Sequence, residues 1–180
     1  LIGLLLGLLP ALALLAPADW LAAGLARASQ GQVRLADTQG TVWNGSAQLQ
    51  VTGGSGSHDA LALPGRMHWQ LRPTPNGARA LLQFDCCTST PIAVDARLGL
   101  GALQLQVHDG QSHWPAALLA GLGTPWNTVQ LQGQLALATT GLALSWAQGR
   151  MELAGKAQLD LLNMSSRLST LHPIGSYRAT

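Results

Sequence analysis

Charge is what this 180-residue sequence has least of. Asp, Glu, Lys and Arg make up 10% of it, against about 25% in an average soluble domain. Lys156 is its only lysine, and the formal net charge is +2. With no Lys/Arg cluster to follow a phosphate backbone, nucleic acid is excluded as a partner. Cysteine is nearly absent too. Cys86 and Cys87 are adjacent and lack the C-x₂-C spacing that closes a tetrahedral zinc site. Neighbouring Cα atoms lie about 3.8 Å apart across a trans peptide, below the usual disulfide range. The pair is therefore expected to stay unbridged, or to bond only under oxidising conditions.

Catalytic signatures are also missing. No P-loop or dinucleotide fingerprint occurs. The run "GGSGSHD" at 53–59 resembles a nucleophile loop, but its G-x-S-x-G pattern breaks at Ser57 and no strand-to-helix context follows. His58-Asp59 and His108-Asp109 are neighbours in turn-rich stretches and read as turn formers. No catalytic residue, metal-ligand set or cofactor site is expected.

Long apolar runs, by contrast, are present. "LIGLLLGLLPALALLA" at the start has no polar side chain, and "WLAAGLA" continues it. A membrane anchor needs about 20 such residues. A cleaved signal peptide would use Ala16-Pro17-Ala18 as its small-x-small site, and a buried core helix is the third reading. The anchor is the expectation, with Trp20 at the interface and Arg27 on the water side. Because the chain opens on Leu1 and its last residues start a strand, it is also expected to be truncated at both ends.

From residue 31 the hydrophobic period is two. Leu61, Leu63, Met67, Trp69 and Leu71 oppose Arg66, His68 and Gln70, and Leu103, Leu105 and Val107 oppose Gln104, Gln106 and His108. The same parity recurs at Ile92–Leu100, Val129–Leu137, Leu142–Trp146 and Met151–Leu161. Such alternation marks antiparallel strands with one buried and one wet face. Turn signals at 53–59, 72–77, 108–111 and 138–141 separate the runs. Only residues 114–123, with Pro115 near the start and glycine at the end, read as a short helix. The fold class is all-β, mainly antiparallel: a curved or folded-over sheet with an N-terminal membrane helix and one short helix. Residues 1–28 form the anchor and interfacial segment, and 29–180 the β-domain. Closure of the sheet on itself is expected over a groove left open to lipid.

"GTVWNGSAQLQV" places Trp43 between Gly40 and Gly45, with the parity of Ala47, Leu49 and Val51. Its indole is expected to enter the apolar face as an architectural corner, a ligand-stacking platform being the alternative. "LPGRMHW" repeats the design: Pro64-Gly65 break the strand and Trp69 returns to the same face. These stretches, together with "PADWLA", "GLGTPWNTVQLQGQLAL" and "SSRLSTLHPIGSYR", resemble the N subunit of the type II secretion system, the general secretion pathway protein N family. Its most specific parts are Gly40–Gly45 with the Leu63–Trp69 run, and the segment 166–178 that holds Ser166, Arg167, Gly175 and Tyr177. The resemblance implies an inner-membrane protein with a periplasmic β-domain and no enzymatic activity. The partners it implies are other secretion components at the inner membrane, with the secretin as a further candidate. A periplasmic lipid- or amphiphile-binding sheet is the alternative function.

Overall fold

The computed structural model describes residues 15–54, 59–99, 101–168 and 175–179. One helix, α1 (Ala18–Ala28), precedes β1 (Val33–Gly40), β2 (Asn44–Thr52), β3 (Ala60–Ala62), β4 (Met67–Thr74), β5 (Gly77–Phe84) and β6 (Ile92–Gly99). Then come β7 (Ala102–Val107), β8 (Gly110–Pro115), a 3-10 helix (Ala116–Leu122), α2 (Trp126–Val129), β9 (Leu131–Ala147), β10 (Arg150–Ser166) and β11 (Gly175–Ala179). All strands join a single antiparallel sheet in the order β1-β2-β4-β5-β6-β7-β9-β10-β11, with β3 on β2 and β8 on β9. The alternating sequence dictates this: each strand has one apolar side to hide and one that tolerates water.

Two expected reversals are not reversals. Residues 138–141 lie inside β9, which runs unbroken beside β10. Between Ala154 and Lys156, β10 faces a stretch of β9 that is one residue longer, Ala143 to Thr140. Gly141, at φ +59°, sits in this bulge, the conformation glycine adopts without penalty. The extra residue moves the apolar positions from Leu135 and Leu137 to Leu142, Leu144 and Trp146 while keeping them on one face. At 108–111 the chain likewise continues onward: β7 faces the second half of β9 and β8 the first half, in the same register. Asp109 Oδ1 accepts the Gly141 N–H at 2.6 Å and fastens the kink.

The short helix also differs from expectation. Trp114 and Pro115 finish β8, and the 3-10 turn starts after them. This helix packs on β9 and also on β2 and β3, so the sheet curls enough for one short element to bridge it. A Cβ on Gly121 would fall 2.5 Å from the Val51 carbonyl oxygen. Only glycine permits that approach.

The core lies at the β1–β6 end. Leu35, Ala47, Leu63, Met67, Trp69, Phe84 and Cys87 are buried with Ala18, while Leu21, Ala22 and Leu25 of α1 lie against them. Asp19 and Arg27 occupy the first and last turns of α1, each matching the helix dipole. The Thr38 hydroxyl donates to the Asp19 carboxylate, and Val42 N–H donates to the Ala16 carbonyl at 2.9 Å. No helix among the described residues is long and apolar enough to cross a membrane, and residues 1–14 of the expected anchor lie outside the described residues.

One expectation is corrected and one is narrowed. Among the described residues the sheet is open, with β1 and β11 at its ends, rather than closed on itself. Of the two states expected for Cys86 and Cys87, unbridged or bonded only under oxidising conditions, the structure holds the bonded one, with Cα atoms 3.7 Å apart. The turn after β5 accommodates this compact bridge: Cys87 N–H donates to the Phe84 carbonyl at 3.0 Å, and its own carbonyl accepts the His113 N–H at 2.8 Å.

Candidate interaction surface

The corner that the sequence singled out is built around Trp69. Gly45 faces Trp69 across the β2–β4 ladder, and a Cβ there would meet Trp69 Cζ2 at 2.5 Å and the Gln39 carbonyl oxygen at 2.5 Å. The indole therefore lies flat over a residue that has to be glycine. Its Nε1–H donates to the Thr41 and Val42 carbonyls, each at 3.1 Å, which satisfies the one polar atom that burial would otherwise penalise. Gly40 pairs with Gly45 at the end of β1. Trp43 is the exception. It lies in the bend before β2, half-buried and outside the buried core, because the chain turns there and has not yet begun to alternate. Its carbonyl accepts the Leu71 N–H at 2.6 Å. Pro64 and Gly65 are exposed in the break between β3 and β4. The following Arg66 reaches the Ser46 hydroxyl at 3.2 Å and the Asp37 carbonyl at 2.6 Å.

The C-terminal candidates gather elsewhere. Ser166 is buried; its Oγ donates to the Val129 carbonyl at 2.7 Å and accepts the Leu168 N–H at 3.2 Å. Arg167 donates to Gln130 Oε1 at 3.0 Å. Gly175 pairs with Met164 and Tyr177 with Leu161, and the Tyr177 ring is exposed. These residues tie β10, β11 and the start of β9 together, remote from the Trp69 corner in the strand order.

On the polar face one carboxylate is enclosed. Asp95 accepts from Arg79 Nε at 2.6 Å and Nη2 at 2.9 Å, and its Oδ2 lies 2.8 Å from His108 Nε2. The Arg79 hydrogen bonds, followed by that of His108, hold its carboxyl well below the usual range. This clasp joins β5 and β6 to the kink after β7. All its members are mutually satisfied, and among the described residues no cluster of three or more His, Cys, Asp or Glu could hold a metal ion.

The most unusual surface is the far half of the apolar face. Leu98 faces Leu103, Leu103 faces Trp146, and Trp146 faces Met151 across four successive strands. A second row runs Ala96, Leu105, Leu144, Leu153. Residues directly opposite in a ladder share a face, so this is one apolar grid. Leu98 is 68% exposed, Trp146 52%, Met151 62% and Leu153 70%. The same face is continuous with the core: Val94 faces Ala80 and Ile92 faces Leu82 on β5, and Trp69 faces Leu82 on β4. Alternation marked all of these residues as apolar-face positions. It carries no signal of which strands have a helix above them.

Fold and surface together define an open antiparallel β-scaffold whose apolar face, among the described residues, is covered at one end and bare at the other. The family model for type II secretion system (T2SS) protein N matches residues 31–180, and the chain belongs to that family, whose members are accessory components of the type II secretion apparatus. No match is found among curated proteins or solved structures.

Proposed function

We propose that this chain is a non-catalytic component of the type II secretion apparatus that works by protein–protein contact, and that its contact surface is the bare apolar grid of β6, β7, β9 and β10. The grid itself carries this reading. Monomeric proteins rarely leave more than a few hundred Å² of contiguous apolar surface in water, and larger patches mark interaction sites. In this reading residues 1–28 anchor the protein at the inner membrane, with Trp20 and the apolar outer side of α1 at the interface. The β-domain stands in the periplasm, where its partners are other inner-membrane secretion components, with the secretin as a further candidate. Nearby polar positions carry glutamine rather than a dense charge coat, which lowers the cost of desolvating the rim on docking.

The same grid would accept an acyl chain, so the test has to separate the two occupants. A photo-crosslinking residue placed at Trp146 or at Leu153, in the protein within its native envelope, is expected to capture another component of the apparatus. The same probe at Gln104, on the opposite face, is expected to capture none. Adducts to phospholipid alone would favour the amphiphile-binding alternative. Equal capture from both faces would remove the grid as the contact surface.

A further inference from the structure

We propose that the Cys86–Cys87 bridge is a thiol–disulfide exchange site that takes a dithiol as its reductant and, through the Cys87 carbonyl, sets the hold on β8. The two cysteines are neighbours in sequence, so the bridge joins no distant parts of the chain. The stabilisation a disulfide supplies grows with the loop it closes, and here that loop is the smallest possible. The turn also has its own support. Cys87 N–H and Thr88 N–H both donate to the Phe84 carbonyl, at 3.0 and 3.1 Å, and Phe84 N–H donates to the Thr88 hydroxyl at 2.9 Å. None of these bonds uses a sulfur. A bridge that fixes so little can open and close with the fold in place, which separates an exchange site from a staple.

Access to the bridge is one-sided. Cys86 is exposed, whereas Cys87 is 4% exposed and belongs to the core. A thiolate of the dithiol therefore attacks Cys86 Sγ; the S–S bond breaks, and Cys87 leaves as a thiolate that takes up a proton. The second thiolate of the reductant then attacks its own sulfur in the mixed disulfide. Cys86 is released and protonated in turn. Two electrons and two protons have passed to the protein, and the dithiol departs as a disulfide.

The consequence falls on β8. The ring that the bridge closes contains both Cα atoms and the peptide between them, so opening it frees the backbone next to the Cys87 carbonyl. That carbonyl accepts the His113 N–H at 2.8 Å. β8 pairs with β9 along its other edge, and the following Trp114 meets Phe84 edge-on. Reduction thus loosens β8 on the side of the turn and leaves its ladder with β9 in place. The inference stands apart from the proposed function, since the exchange needs no secretion partner.

The test uses the purified full chain in detergent. Treatment with dithiothreitol, then alkylation and intact-mass measurement, is expected to add two alkyl groups while the circular dichroism spectrum is unchanged. Amide hydrogen exchange at His113 should rise about tenfold or more on reduction and return on reoxidation, with Leu137 of β9 unaffected. Cys87→Ser leaves the thiol of Cys86, which should be alkylated about tenfold or more faster than the thiol of Cys87 left by Cys86→Ser. A bridge that dithiothreitol opens only when the chain unfolds would overturn the proposal. So would equal alkylation of the two single variants, or exchange at His113 indifferent to reduction.

Discussion

Trp69 and Trp146 lie on the same face of the same sheet, yet Trp69 is 1% exposed and Trp146 is 52% exposed. Both follow the period-two pattern, and both sit beside leucines of matching parity. What separates them is cover. Trp69 belongs to the core that α1 packs against from the β1 side, and Gly45 opposite lets its indole lie against the backbone. Further along, Phe84 and Trp114 still meet edge-on with ring centroids 4.9 Å apart, and Leu118 of the 3-10 helix packs over them. Beyond that point no described element lies over the face. The β-pattern specifies that a face is apolar; the connections between strands specify whether anything returns to cover it. A sheet stabilised at one end can carry an exposed apolar face at the other, and this is where interaction is most economically placed.

The contrast is most strongly tested by emptying its covered end. Trp69→Ala should destabilise the protein by roughly 3–5 kcal/mol, the cost of deleting a large aromatic from a closed site, and chemical denaturation measures it. A loss below about 1 kcal/mol would mean that the surrounding core collapses onto the gap or is not there in solution.

Much of this arrangement was legible in advance. Strand existence, antiparallel pairing and the apolar parity of Leu98, Leu103, Trp146 and Met151 follow from side chains that alternate with period two. The sequence reads Gly45 as a bend beside Trp43; in the structure it admits the indole of Trp69 on the neighbouring strand, a pairing that sequence order does not record. Three more things were hidden. Turn-like residues at 138–141 make a bulge as readily as a reversal, and only the partner strand decides which. Trp43 shares the parity of the strand that follows it, but parity has no meaning in a bend. The disulfide of Cys86 and Cys87 depends on the local path of the turn, which spacing does not encode. The bare grid was hidden in a different sense: each of its residues was identified, but cover is a long-range property that a single strand does not record.

Between the two ends stands the Asp95 clasp, and acid should loosen it. The folded-state carboxyl lies below its ordinary value, chiefly through the Arg79 hydrogen bonds, so the unfolded chain binds the proton more readily. Stability from this group is thus fully present above the unfolded value of about 4 and is lost progressively as pH falls below it. Asp95→Asn should destabilise at neutral pH, and the gap between variant and wild type should narrow as acid protonates Asp95 in the latter. A gap that is constant from pH 7 to pH 3 would show that the carboxylate charge contributes nothing to joining the halves.

The smallest expected effect on stability falls on the bare end. Trp146→Ala removes as many atoms as Trp69→Ala, from the same face and the same kind of strand, but those atoms are largely in water already. Its indole faces Leu103 and Met151, themselves exposed, so little apolar area returns to solvent and no closed cavity forms. Surface replacements of this kind usually stay within about 0.5 kcal/mol, and the melting curve should be nearly unchanged. Partner capture through Leu153, in contrast, should fall sharply in the same variant, because an aromatic anchor at the centre of a contact carries more binding energy than its neighbours. A Trp146→Ala protein that melts like the Trp69→Ala variant would show that the far half is covered in the free protein. The difference between the two tryptophans would then vanish, and with it the reason for placing the contact surface on β6, β7, β9 and β10.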